Sequence, residues 1–357
     1  MLSVFHPVKK LLKRAPVCVD NTLFRLHYNY TFIILTIFSL LSTSYQYFGR
    51  PIQCIVDNPS LAGVIETYCW ISTTFTIPSR MTGVVGRDLI QPGVMGHIEG
   101  EDAVKHHKYY QWVPFALCFQ AMLFYIPRHL WKTWEGGRIK MLATDLIMPT
   151  EEKDKRMKML ITYFQDNLLR NNFYALKFYI CELLNFVNVI AQIYFMEYFL
   201  DGQFSTYGID VLQFMEMESE IRDDPLSRVF PKMTKCTFHQ YGPSGSVQKF
   251  DSMCVLPLNV INEKIFIFLW FWFLMLFILN VLWLLYRTLV VFYPTLRLYL
   301  LRCRARTSSS QDIGYICKKC LIGDWFLLYQ LSKNIDPLIF KEFIIELANH
   351  LSGKHNV

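Results

Sequence analysis

Apolar residues along this 357-residue chain fall in blocks. Four blocks approach or reach the roughly 20 helical residues that a hydrocarbon core about 30 Å thick requires. They are "YTFIILTIFSLLSTSYQYF" (Tyr30–Phe48), "YQWVPFALCFQAMLFYIP" (Tyr110–Pro127), "FYICELLNFVNVIAQIYFMEYFL" (Phe178–Leu200) and "IFIFLWFWFLMLFILNVLWLLY" (Ile265–Tyr286). The last is too long and too uniformly apolar for the core of a water-soluble bundle. The pattern predicts an all-α membrane protein built on a four-transmembrane-helix bundle. The first block begins about 30 residues in, without a small-residue cleavage site, and reads as a retained signal anchor.

Polar positions inside the blocks are periodic. In the first block Thr36, Ser39, Thr43 and Gln46 recur at 3, 4 and 3, which places them on one helix face. In the third, Glu182, Asn185, Asn188 and Gln192 do the same at 3, 3 and 4. Such stripes line water or hydrogen-bond neighbouring helices, and an ionisable Glu182 in a membrane segment is a functional candidate. Between the blocks, "EEKDKRMKMLITYFQDNLLR" carries Met157, Leu160, Ile161, Phe164 and Leu168 on one helical face. "IDPLIFKEFIIELANHL" offers Asp336 as an N-cap, followed by Pro337 at the first helical position. These two regions are expected to pack together as a helical cytoplasmic domain. The N-terminal "MLSVFHPVKKLLKRAP" reads as a short basic amphipathic helix suited to anionic lipid.

Charge supplies the orientation. The net charge is +4 over residues 1–29, −1 over 49–109, +4 over 128–177, −3 over 201–264 and +5 over 287–357. The three segments on one side hold 25 of the 36 Lys and Arg residues, so that side is cytoplasmic. The expected organisation is a cytoplasmic N-terminal segment (1–29), first crossing (30–48), first extracellular loop (49–109), second crossing (110–127), cytoplasmic loop (128–177), third crossing (178–200), second extracellular loop (201–264), fourth crossing (265–286) and cytoplasmic C-terminal tail (287–357). Trp112 and the Tyr109–Tyr110 pair would then form an outer aromatic belt, with Trp131 and Trp134 as inner anchors. Only 18% of residues are charged and mean hydropathy is +0.23; nothing points to nucleic acid.

The two outer loops hold Cys54, Cys69, Cys236 and Cys254. An even number of cysteines in an oxidising compartment reads as disulfides. Four cysteines allow three connectivities, and spacing does not choose among them. Cys236 and His239 have a spacing that zinc could use, but the compartment argues against it. "CKKC" at Cys317–Cys320 lacks a second pair and reads as free or lipid-modified thiols. No metal-ligand cluster, nucleotide loop or nucleophile-and-base pair stands out, so no catalytic residue, metal or cofactor is expected and an enzyme ranks last.

At the second block the chain reads "YYQWVPF". Tyr109, Tyr110, Gln111, Trp112 and Val113 match the pentapeptide signature of the innexins, the invertebrate gap-junction proteins. "YCWISTTFTIP", "PRHLWKTWEGGRIKML", "CTFHQYGPSGSVQ", "CVLPLNVINEKIFIFLWFWF" and "GDWFLLYQL" also resemble innexin segments, in the same order over nearly the whole chain. The resemblance implies a ring oligomer of innexin subunits, homomeric or heteromeric, embedded in lipid of the plasma membrane at gap junctions. It implies docking to an opposing hemichannel on a neighbouring cell, and extracellular loops, with some short strands, tied by Cys54–Cys254 and Cys69–Cys236. It also implies that Met1, Leu2, Ser3, Val4 and Phe5 fold into the pore mouth. Because the resemblance sets the first crossing beside the channel, Thr36, Ser39, Thr43 and Gln46 are read as pore-lining and the third-crossing stripe as bundle packing. The alternative is a four-pass adhesion or scaffold protein without a pore.

Overall fold

The computed structural model describes residues 17–81, 83, 87, 91–96, 102–144, 150–216, 225–306 and 308–352. Met1–Phe5 and the basic amphipathic segment lie outside the described residues. The chain forms two compact units: a helical unit (1–33, 122–188, 277–357) and a sheet unit (34–121, 189–276).

Among the described residues, three helices are long and apolar enough to cross a membrane: α1 (Thr22–Phe48), α6 (Asn172–Phe199) and α9 (Pro257–Phe292). Helix α2 (Ala62–Ile71) lies in the first inter-block loop, and α3 (Val113–Glu135) covers the second block. At 23 residues, α3 spans about 34 Å, but Gln120, Arg128, His129, Lys132 and Glu135 dilute its apolar run. It continues through Pro127, where the apolar block ends, because loss of one amide donor is tolerated by an otherwise well-packed helix. Pro114 is its second residue, where a missing amide costs little.

In the helical unit, α4 (Arg138–Thr144) and α5 (Thr150–Asp166) precede α6. The chain after α9 forms α10 (Pro294–Arg304), α11 (Ser310–Lys319), α12 (Ile322–Leu331) and α13 (Pro337–Ser352). Met157, Leu160, Ile161 and Phe164 of α5 share one core with Phe340, Phe343, Ile344 and Leu347 of α13. The Phe164 and Phe343 rings lie 5.4 Å apart. Asp336 caps α13, accepting the Leu338 amide at 2.8 Å. Trp131 is not an interfacial anchor. It is fully buried, edge-on to Phe178 at 4.8 Å, because α3 runs on into this core.

The "GDW" stretch, Gly323–Trp325, opens α12 against the start of α6. A Cβ on Gly323 would run into the backbone of Asn171, so only glycine permits the approach of α12 to the start of α6. The fully buried Asp324 accepts from the Leu169 amide (3.0 Å), Asn171 Nδ2 (2.9 Å) and the Leu321 amide (3.2 Å). Leu169 sits at φ 68, a strained backbone that the Asp324 hydrogen bond helps hold.

In the sheet unit, α7 (Phe204–Glu216) and α8 (Pro225–Val229) follow α6. The inter-block loops carry the expected strands, two of them nine residues long. β1 (Gln53–Ile55), β2 (Thr74–Thr76), β3 (Lys105–His107), β4 (Met233–Tyr241) and β5 (Val247–Val255) form one antiparallel sheet in the order β1-β5-β4-β2-β3. The nine-residue β4 and β5 pair along their whole length, Met233 opposite Val255 and Tyr241 opposite Val247. "GPSG" closes this hairpin, with Gly245 at φ 78, where a side chain would be strained. Thr74, Phe75, Thr76 and Ile77 of "TTFTIP" are buried, so that segment packs within the subunit.

Candidate functional site

The candidate site in the sheet unit grows from its four cysteines. Cys54 and Cys254 face each other across β1 and β5 and are joined by a disulfide. Cys69 on α2 is joined to Cys236 on β4. One bridge therefore staples two strands, and the other fastens a helix onto the sheet. The sulfurs of Cys54, Cys69 and Cys254 lie within 4.8 Å of one another, so the bridges are adjacent. With Cys236 oxidised, its spacing to His239 cannot serve zinc. Around them close Ile52, Ile65, Tyr110 and Leu256.

The YYQWV signature feeds this core. Tyr110 is 1% exposed and its ring lies 4.9 Å from Trp70. Tyr109 sets its ring edge-on to Phe230 at 5.6 Å. Gln111 Nε2 donates to the Trp70 carbonyl oxygen, and Val113 is fully buried. The belt reading therefore fails for both tyrosines. Only Trp112 is exposed, because Lys108–Trp112 makes a short helical turn that aims the tyrosines back at the sheet. His107 is buried beside them, its Nε2 2.8 Å from the Thr76 hydroxyl. Burial lowers its pKa to about 4, with the neighbouring charges of Lys105 and His106 adding to the effect.

The polar stripe of α1 divides. Ser39 is buried and donates to the Pro114 carbonyl oxygen at 2.8 Å. Thr43 donates back to the Ser39 carbonyl oxygen at 2.7 Å. Both hydroxyls are engaged in helix contacts, the alternative that the spacing left open. Thr36 is half-buried, and Gln46 lines a cavity of about 210 Å³ with Trp70, Ile71, Gln111, Trp112 and Phe115. The more exposed face of α1 carries Ile37, Leu40, Leu41, Ser44, Tyr47 and Phe48.

The helical unit contains a second polar centre. Glu182 is paired with Arg287 through Arg Nε (2.7 Å) and a second guanidinium nitrogen. Trp283 Nε1 (2.9 Å) and Asn21 Nδ2 also donate to its carboxylate. Arg287 lies 4.9 Å from the Tyr179 ring centre. The third-crossing stripe thus serves packing through Glu182. The residue that sequence reasoning missed is Arg287. It sits just beyond the fourth apolar block, and its one signal was that Glu182 needed a cation. Cys317 and Cys320 are free, and burial raises their pKa to about 11 and about 12. They are protonated at neutral pH and correspondingly poor nucleophiles.

Bilayer-length helices carrying a disulfide-locked sheet define a multi-pass membrane protein. The Innexin family model matches residues 20–351. Innexin inx2 of Drosophila melanogaster is 61% identical over 356 residues, 99% of this chain and 97% of the relative. Innexin inx2 of Schistocerca americana is 61% identical over the full length of both chains. Innexin shaking-B of Drosophila melanogaster is 47% identical, over 100% of this chain and 96% of its own. The chain belongs to the innexin family, the channel subunits of gap junctions, and is not an enzyme.

Proposed function

We propose that copies of this chain assemble as a ring in the plasma membrane, and that two rings in apposed membranes dock into an intercellular channel for ions and small molecules. The four crossings are read on α1, α3, α6 and α9, with residues 49–109 and 201–264 outside and both termini in the cytoplasm. The disulfides support this orientation, since such bonds persist in oxidising compartments, and so does the Lys and Arg bias.

The observation that carries the reading is the sheet unit itself. It draws strands from both inter-block loops and ties them with two cross-loop disulfides. A rim held this way loses less freedom on meeting its counterpart. The pore is assigned to the N-terminal segment, Met1–Phe5, and to the first crossing. On α1, Thr36, Gln46 and the face bearing Ser44 meet water, while Ser39 and Thr43 seat the helix. Other innexin subunits are the partners in mixed rings.

Junctional current between paired cells tests the reading. Wild type should couple cells, and Cys54→Ser with Cys254→Ser should abolish coupling. A chain that reaches the surface yet passes no current, in pairs or singly, would instead be an adhesion or scaffold protein.

A further inference from the structure

Four consecutive residues, Cys18–Asn21, are each held by a different group. Asn334, just past α12, grips Cys18 with both ends of its amide. Its Oδ1 accepts the Cys18 amide at 2.6 Å and its Nδ2 donates to the Cys18 carbonyl oxygen at 2.9 Å. The same Nδ2 donates to the Gln330 carbonyl oxygen at 2.8 Å, which fixes the plane of the amide. Gln330, buried in α12, donates to the Val19 carbonyl oxygen at 3.2 Å. Asp20 pairs with Arg128 of α3 and accepts from the Tyr28 hydroxyl at 3.0 Å. Asn21 caps α1 by accepting the Phe24 amide at 2.6 Å, and donates to Glu182 of α6.

We propose that Cys18–Asn21 is a coupling joint through which the C-terminal helical domain sets the position of the N-terminal segment. Asn334 and Gln330 are its positioning residues. This rests on the reading above that the first residues border the pore. The chemistry at Asn334 is specific. A backbone amide and its own carbonyl must be met by a donor and an acceptor on one rigid group. A side-chain amide supplies both, whereas a carboxylate supplies only acceptors. Asn334 thus imitates one rung of a β-ladder, and Gln330 holds the next carbonyl. A displacement of α12 would be passed to the backbone just behind residues 1–16.

Two measurements on the full-length chain test this. The first is junctional conductance against voltage for wild type, N334A, N334D and Q330A, with surface protein quantified. A control in the same helical unit is Y315F, whose hydroxyl donates to the Leu351 carbonyl oxygen, away from the joint. N334D is expected to match N334A, with surface level retained and the voltage of half-maximal conductance displaced, while Y315F is unchanged. Repeating N334D after deletion of residues 2–16 should show no displacement, because the element being positioned is gone. The second is hydrogen exchange on purified protein. N334D should speed exchange at least tenfold at residues 18–20 and leave residues 322–352 unaltered. A conducting wild type with N334D and Q330A indistinguishable from it would overturn the joint alone. So would a displacement that survives the deletion, or exchange that spreads through α12 and α13. A wild type without current would overturn the pore reading and this one with it.

Discussion

At the scale of single residues, the sharpest dependence lies at Glu182. Its carboxylate takes both nitrogens of the Arg287 fork within a buried pocket. Removing one partner of a buried pair leaves the other charge unpaired, at a cost of about 3–5 kcal/mol. Glu182→Gln is therefore expected to lower the melting temperature of the solubilised protein strongly. Arg287→Lys should do much the same, because an ammonium cannot reproduce the two parallel bonds. A melting curve of Arg287→Lys matching wild type would show that charge alone suffices. His107 gives a pH dependence. Its folded pKa is lowered to about 4, against an ordinary value near 6.5. Between those values the unfolded chain binds the proton and the folded chain does not, so stability rises with pH. His107 thus destabilises the sheet unit progressively as pH falls from about 6.5 to about 4, by about 1.4 kcal/mol per unit. Melting followed across that range should lose this slope in His107→Gln.

At the scale of elements, the two disulfides are not equivalent. β1 retains its backbone pairing with β5 at three positions if Cys54–Cys254 is lost. Helix α2 has no strand ladder to the sheet, and Cys69–Cys236 is its covalent tether. Cys69→Ser with Cys236→Ser is expected to accelerate hydrogen exchange across 62–71 more than the other double substitution does across 53–55. Equal protection of α2 in both variants would mean that apolar packing alone seats it. At Gly323, alanine would drive a methyl into the Asn171 backbone. Gly323→Ala should cost several kcal/mol, since neither helix can shift without breaking the Asp324 hydrogen bonds. Recovery of native melting in that variant would contradict the close approach. These elements were unevenly legible. Asp336 with Pro337 announced α13 locally, but nothing local announces that Asp324 will cap a turn more than 150 residues away.

For the molecule as an assembled channel, individual positions along α1 carry different expectations. In a background with the exposed Cys118 and Cys303 replaced, cysteine introduced at Thr36, Ser44 or Gln46 should react with a water-soluble thiol reagent and reduce current. Cysteine at Ser39 should react far more slowly, because that side chain is buried against Pro114. Equal rates at Ser39 and Ser44 would mean that the first helix turns a different face to the pore when subunits gather.

The apolar blocks and the family were legible from the residues alone, because hydropathy and a run of ordered motifs are written position by position. The sequence also marked the four oxidised cysteines as a group. What the polar and aromatic positions do depends on packing in three dimensions. Ser39 and Gln46 share one helical stripe, yet one seats a helix and the other lines a cavity, since periodicity specifies a face and not its neighbour. Tyr110 and Trp112 stand two positions apart in one signature, and the turn at Lys108–Trp112 sends the first into the disulfide core and the second outward. Glu182 was visible as a charge in an apolar block, whereas Arg287, Trp283 and Asn21 become its partners only when α1, α6 and α9 pack. Pairing at sequence separations above 100 follows from helix packing and strand register, which local composition does not encode.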